Sequence, residues 1–467
     1  MKGHAMPLTD LIHSLHPYYK ANSALWEKWK QAYYGGLPYV QSALQSHRLE
    51  NGGDFGRRLN RATLLNYLRP ICDTYANYLF RHPWQIRLPA KIDFLRDDAD
   101  RRGTKLADFF KSILPLAAAM GFAVIGVDEP ALDDNQQPRN MAERQRLGVR
   151  PYLYFVDPLD LRDWETDKDG RLTMALVRER ISHRLAVNGK IVDAGGRIYR
   201  LWTAESCAVF DDQGRALEAY RNRAGVVPLV SLKFRDAGDP LVGQGLGQDL
   251  EPIQAFILNL TSLLSEIFFR QTFSQLVAEG SAEEYGERGD LSRLGTSSIF
   301  LYPEGRKPPQ YISPDTRQAQ LLIEQIDRAI DEIYRLANLT RGSVREAQAQ
   351  SGISKAYDFL DTNQALTDVA RNTAAAMEQV CRIAARWAGD QSRESDVTVS
   401  HPADFGVIDL DGDVARLRAL VEAQASPVLI KALQERIAKT LFPGDGVLLR
   451  QMAAENQPPG GKAGYDA

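Results

Sequence analysis

Cysteine is scarce in this chain: three in 467 residues, Cys72, Cys207 and Cys381, widely separated and in no metal-ligand spacing. So sparse and odd a count excludes a disulfide framework and fits buried free thiols in a reducing compartment. Histidine is also rare, with seven scattered copies, and neither a His-Glu-x-x-His pair nor a Gly-x-Ser-x-Gly elbow occurs. None of the 60 acidic residues forms a pair whose surroundings would separate two carboxyl pKa values. Catalysis is therefore unsupported, and the expectation is a protein without enzymatic activity, cofactor or metal. Long apolar runs are missing as well. The longest, Ile113 to Val127, contains Pro115, Gly121 and Gly126 and is too short for a membrane span. No signal-peptide pattern and no internal repeat is found.

What is present is ordinary for a globular chain of two or three domains: 44% hydrophobic and 25% charged residues, with a net charge of −3. The charge is unevenly spread. Residues 1–90 carry 11 Lys+Arg against 5 Asp+Glu, a surplus of +6 that the remainder offsets with −9. That surplus could face nucleic acid or an acidic neighbour, but a solvated mixed surface is the favoured reading.

The organising stretch is residues 243–340. After Gly243, Gly245 and Gly247, residues Leu250, Ile253, Ile257, Leu260, Leu264 and Ile267 recur at steps of three and four, one apolar stripe along a helix. No glycine falls between Asp249 and Val277, and Pro252 sits in the first turn, so the helix is expected to reach Val277, roughly 40 Å. Ser313-Pro314-Asp315 marks the start of a second helix, with Leu322, Ile326, Ile330, Ile333 and Ala337 as its buried stripe. Between them, the Gly- and Pro-rich stretch 279–312 holds one convincing strand, Ser298 to Tyr302.

Upstream, residues 7–90 read as helical and aromatic-rich. Tyr18, Tyr19, Trp26, Trp29, Tyr33 and Tyr34 run to a Gly35-Gly36 break, and one helix from about Arg57 carries Leu64, Leu68, Ile71, Tyr75, Tyr78 and Leu79 to His82-Pro83. Such an aromatic stripe reads as core rather than as a nucleobase platform. A helix over 105–120 passes through Gly121 into a strand, Phe122 to Val127, and residues 128–150 form an exposed loop. Strands are expected at 152–156, 172–180, 190–192, 197–202, 208–210 and 227–232, with turns at Asp169-Gly170, Asn188-Gly189, Gly195-Gly196 and Gly214. The class is α+β with a mostly antiparallel sheet. Further on, a polar interruption at 340–352 precedes a helix over 354–388. A strand at 397–400, helices at 413–423 and from Ser426-Pro427, and a Pro/Gly-rich tail from Gln457 complete the chain.

Three tempting motifs fail on their chemistry. Gly243-Gln-Gly-Leu-Gly247 lacks the third glycine spacing of a dinucleotide loop and the lysine of a Walker loop, and reads as a flexible approach to a helix. Glu165-x-Asp167-x-Asp169-Gly170 would place Leu176 where a calcium loop needs a bidentate acid, so a hairpin turn is expected. Asp409, Asp411 and Asp413 read as solvated turn residues capping the helix that follows.

The order of elements resembles the portal protein of tailed double-stranded DNA bacteriophages. The matching stretches are Trp26 to Gly36, Arg57 to Pro83, Gly121-Phe-Ala-Val-Ile-Gly-Val127 and Tyr154-Phe-Val-Asp-Pro158 leading to Asp163-Trp164. They continue through Gly225-Val-Val-Pro-Leu-Val230, Leu246 to Leu260, Gln350-Ser-Gly-Ile-Ser354 and Ala403-Asp-Phe405. The likeness spans most of the chain and rests on the order of short motifs.

The resemblance implies a portal-like fold: residues 1–242 as a wing, 243–277 and 314–339 as two stem helices, and 278–313 as a small β clip. It further implies a tunnel loop at 340–353, a long wing helix with return strand at 354–404 and a helical crown with a disordered tail at 405–467. In that family a ring, typically a dodecamer in the virion, occupies one capsid vertex. It nucleates assembly with scaffold and major capsid protein, docks the terminase large subunit, conducts DNA without reading its sequence, and later binds head-completion proteins. No membrane is involved. Carried onto this chain, Arg341, Ser343, Arg345, Gln348 and Gln350 would face DNA from the tunnel loop, and Glu324, Asp327, Asp331 and Glu332 would line the channel. Glu283, Glu284, Tyr285, Phe300 and Tyr302 would form the partner-binding clip. The residues by themselves leave open a coiled-coil scaffold whose stalk dimerises.

Overall fold

The computed structural model describes residues 12–48, 50–130, 143, 148–187, 190–271, 275–277, 310–312, 316–339, 352–401, 405 and 410–441. Four helices come first: α1 (Pro17–Tyr34), α2 (Leu37–Ala43), α3 (Gly52–Arg61) and α4 (Leu68–Leu79). Strand β1 (Gln85–Arg87), helix α5 (Leu106–Met120) and the strands β2 (Phe122–Asp128), β3 (Tyr152–Val156) and β4 (Leu161–Thr166) follow. The strand run continues with β5 (Leu172–Val187), β6 (Lys190–Thr203), β7 (Ser206–Asp211), β8 (Ala216–Arg221), β9 (Leu229–Lys233), β10 (Arg235–Asp236) and β11 (Gly243–Gln244). Then come α6 (Gly247–Gln271), β12 (Gln275–Val277), β13 (Gln310–Ile312), α7 (Thr316–Leu336), α8 (Gly352–Trp387), β14 (Thr398–Ser400), α9 (Leu410–Glu422) and α10 (Pro427–Leu441). The class is α+β. The chain divides into two compact units, one of residues 1–23, 71–245 and 338–467, the other of residues 24–70 and 246–337.

In the first unit a three-stranded antiparallel sheet, order β3-β2-β9, is covered by α5 and α8. Every residue of β2 is buried, as a central strand sheathed on both faces requires, and its continuous Phe-Ala-Val-Ile run reflects that. A five-stranded antiparallel meander, order β4-β5-β6-β7-β8, has its own apolar cluster of Ile12, Leu176, Tyr199 and Phe210. Strand β1 pairs with β14 from far along the chain, Gln85 opposite Ser400 and Arg87 opposite Thr398. The second unit is helical. Helix α7 lies along α6, and β12 pairs with β13, Gln275 opposite Ile312, closing the end of the helix pair.

Several local expectations change. The helix from about Arg57 is two helices, because residues 62–67 are extended: the Asn66 carboxamide accepts from the Arg69 N–H at 3.0 Å and donates to the Ala32 and Tyr33 carbonyls, an N-cap anchored at a distance. Gly195-Gly196 is no turn. It lies inside β6 opposite Ser182 and Ile181, and the ladder continues uninterrupted to Val187 opposite Lys190. The first long helix ends at Gln271 rather than Val277, since Gln275–Val277 takes a ladder partner from Gln310–Ile312. Asp413 is not a solvated cap: it is 1% exposed within α9 and pairs with Arg416 at 3.0 Å.

The glycines before α6 are not flexible. A Cβ on Gly245 would stand 2.3 Å from the Gly121 nitrogen and 2.8 Å from the Ala119 carbonyl oxygen; one on Gly243 would stand 2.6 Å from the Gly121 oxygen. Gly121, at φ 100, ends α5 and lets the backbone of 243–245 lie directly against it. Gly245→Ala is expected to cost about 3 kcal/mol of unfolding free energy, because backbone on both sides must give way. Gly56→Ala, in a helix with nothing within 4 Å of the added carbon, should be neutral or slightly stabilising. Urea denaturation of the two variants separates these outcomes.

Candidate functional site

The strongest candidate among the described residues is the helix pair of the second unit. Helix α6 is built around a line of polar side chains, Glu251, Gln254, Asn259, Ser262 and Glu266, each bonded to protein. The Tyr39 hydroxyl donates to Glu251 Oε1 at 2.9 Å and Lys28 Nζ lies 2.9 Å from the other carboxylate oxygen. Gln254, fully buried, accepts from the Tyr67 and Leu68 N–H groups at 2.9 Å each and donates to the Ala32 carbonyl. Asn259 accepts from the Gln45 N–H at 2.8 Å and donates to the Ala43 carbonyl. Arg58 donates to Ser262 Oγ at 2.7 Å, and Arg61 to Glu266 Oε1 at 2.7 Å. The bonds of Gln254 and Asn259 go to main-chain groups at or between helix ends, and those of Glu251, Ser262 and Glu266 to side chains of the earlier helices.

Charge follows this geometry. Hydrogen bonds from the Arg58 guanidinium hold the Glu50 carboxyl down at about 2, against an ordinary 4.5. Burial, reinforced by the Glu251 charge, pushes the Tyr39 phenol up. Burial on α6 therefore follows Leu250, Glu251, Gln254, Ile257, Leu258 and Ser262, while Ile253, Leu260, Leu264 and Ile267 of the expected stripe are only half-buried. By length and composition, Gly247–Phe269 would also suit a membrane span, with mean hydropathy 1.4. Five polar groups bonded at about one per turn suit a helix embedded in protein instead.

Of the expected stripe, Ile326, Ile330 and Ile333 of α7 and Ala337 just beyond it are buried, joined by Ala329, while Leu322 is only half-buried. Of the acids expected to line a channel, Glu324 and Asp331 are exposed and Asp327 and Glu332 half-buried. Glu332 is held in a two-bond pair by Arg335, which lowers its pKa. Large apolar side chains also face outward here: Phe256, Phe268, Leu321 and Ile323, with Leu321 60% exposed. Phe269 carries the Arg61 guanidinium over its ring at 3.8 Å. The expected tunnel residues Arg341, Ser343, Arg345, Gln348 and Gln350 lie outside the described residues. So do the clip residues Glu283, Glu284, Tyr285, Phe300 and Tyr302.

The first unit holds a second polar cluster. The Tyr220 hydroxyl donates to Asp128 at 3.2 Å, Arg200 donates to Tyr220 at 2.8 Å, and Arg200 also lies 2.9 Å from Glu179. Burial pushes the Asp128 carboxyl up to about 6 and the Cys207 thiol up to about 11. A thiol raised this far is a poor nucleophile at neutral pH. The cluster ties β2 to β6 and β8 and is structural. Among the described residues no group of three His, Cys, Asp or Glu is arranged to hold a metal. Periodicity searches pass over Glu251, Gln254 and Asn259 because they read as breaks in an apolar pattern. Their recurrence at near-helical steps was the available signal.

Two outcomes follow. Gln254→Ala leaves two buried N–H groups without an acceptor and should cost about 3 kcal/mol by urea denaturation, whereas Gln320→Ala on the exposed face should change stability by less than about 0.5 kcal/mol. The Glu50 pKa is depressed in the fold, so its contribution is complete above about 4.5 and disappears as pH falls toward 2. Arg58→Met should flatten stability against pH in that window, measured by denaturation at successive pH values.

Neither a protein-family model nor a curated protein matches this chain. Among solved structures, it is similar to a chain of the neck of a native gene transfer agent particle computed with C12 symmetry, at 13% identity and TM-score 0.39, covering 91% of this chain and 99% of that one. It is also similar to a chain of the native gene transfer agent virion, at 14% identity and TM-score 0.37, covering 79% and 86%. A chain of the neck of the empty particle, computed with C6 symmetry, matches at 14% identity and TM-score 0.36, covering 80% and 89%.

Proposed function

We propose that this chain is a portal-type protein. Copies associate side by side into a ring at one vertex of a virus-like particle, and double-stranded DNA passes through the central channel during genome packaging and ejection. The observation that supports this reading most directly is the helix pair α6–α7 with its end closed by the β12–β13 ladder, the order helix, β element, helix that the sequence predicts for a stem and clip. The outward Phe256, Phe268, Leu321 and Ile323 give that pair an apolar surface suited to a neighbouring copy. A head-to-tail contact of this kind closes into a ring when its rotation permits.

The exposed acids of α7 fit the inner face of such a channel. An acidic lining lets phosphates slide past, whereas paired cations would hold them. The clip, residues 278–313, is the docking site for the terminase large subunit and, after packaging, for head-completion proteins. The chain itself carries out no chemistry, and ATP hydrolysis belongs to the motor. A scaffold that dimerises through the same helix pair is the competing reading, and it predicts a small even oligomer.

Native mass spectrometry with negative-stain imaging tests the proposal. Rings of about a dozen subunits with a central hole are expected, and Phe268→Ser combined with Leu321→Ser should shift the population to monomer. A stable dimer or tetramer without rings under any condition would refute it. In rings, replacing Arg341 and Arg345 by alanine should spare assembly and reduce DNA packaged or retained; unchanged packaging would remove the tunnel assignment.

A further inference from the structure

The two-stranded sheet β1–β14 in the first unit forms one wall of a cavity of about 480 Å³, within the size range of small-molecule sites. Its lining is Trp84, Gln85, Ile86, Arg87, Arg96, Thr398 and Ser400. The register explains this composition. Gln85 pairs with Ser400 and Arg87 with Thr398, so side chains two residues apart on both strands share one face, and all four are polar. Between them Ile86, which also borders the cavity, pairs with Val399, which is buried.

Arg96 reaches the cavity from a different element, the turn at Asp93–Arg96. One of its N–H groups donates to Asp93 at 2.8 Å, and a guanidinium has four more. Arg87 has no carboxylate within ion-pair distance among the described residues. No acidic side chain lines the cavity. Trp84 closes one side, held by its Nε1 donating to the Leu79 carbonyl at 3.2 Å and by stacking on Phe80 at 5.3 Å. Two guanidiniums, a carboxamide and two hydroxyls thus line one space, and the carboxylate beside it, Asp93, is paired with Arg96 and leaves Arg87 without a counter-charge among the described residues. Fork-shaped cations with supporting hydroxyls are the donor set that recognises tetrahedral oxyanions.

We propose that this cavity binds a phosphate group, carried either by a nucleic-acid backbone or by a small phosphorylated molecule. The inference does not depend on ring formation and holds for the monomer. Isothermal titration of the full chain with inorganic phosphate, with adenosine monophosphate and with a short DNA duplex tests it. At least one of the three should bind, and Arg87→Ala and Arg96→Ala should each weaken that binding about tenfold. Arg87→Lys should recover part of the loss, because it restores charge without the fork. Arg171→Ala, a fully solvated arginine on the β4–β5 turn, is the control and should bind as wild type. Binding of the duplex alone assigns the site to nucleic acid; binding of phosphate or the mononucleotide assigns it to a small molecule. No binding in any arm, or equal weakening by Arg171→Ala, overturns the proposal. Thermal midpoints of the variants check folding, and Thr398→Val, which removes one hydroxyl from the same face, provides a second test if Arg87→Ala does not fold.

Discussion

The second unit depends on one constraint: buried backbone outside helices and sheets must find hydrogen-bond partners. The main-chain N–H groups of Gln45, Tyr67 and Leu68 lie between or at the ends of helices, and α6 supplies their acceptors through Gln254 and Asn259. Each polar side chain on α6 therefore has two effects. It bonds a group on the segment 28–68, and it fixes the rotation of the helix about its own axis. With that face committed, Phe256 and Phe268 are left to point outward. An outward apolar face suits contact with another chain.

The first unit meets a different constraint by different means. Its three-stranded sheet is buried at the centre, so β2 carries no polar side chain until Asp128, where the strand reaches the Tyr220–Arg200 network. Close approach of backbone to backbone is needed where α5 turns into β2, and glycines at 121, 243 and 245 permit it. Gly126 has a related use: a Cβ there would stand 2.1 Å from the Tyr154 ring, so the tyrosine lies across the strand where a side chain would otherwise be.

Much of the fold was legible in advance. The helix α8, most of the stripe of α7, the Gly121 passage from helix to strand and the Asp167–Gly170 turn follow from periodicity and local turn chemistry, which act within a few residues. The strands β4 and β8 were not legible: Leu161–Thr166 has a charged, irregular pattern, and Ala216–Arg221 is exposed along most of its length. Both are edge strands of the meander, where one side of the ladder and little core contact suffice. Of the candidate site, the helix α7 that carries the acids was legible from the sequence. The polar line of α6 was not, because its meaning lies in partners about 190 to 220 residues away.

By itself, then, the sequence determined the class and the two long helices, since each is encoded by spacing within a single segment; the strand expected at Ser298 to Tyr302 lies outside the described residues, and the ladder found joins Gln275–Val277 to Gln310–Ile312. Tertiary structure decided which face of α6 is inside, that the glycine cluster is a contact rather than a hinge, and that Gln85–Arg87 meets Thr398–Ser400. Those features join residues far apart in the chain, and no local pattern encodes a partner at that distance.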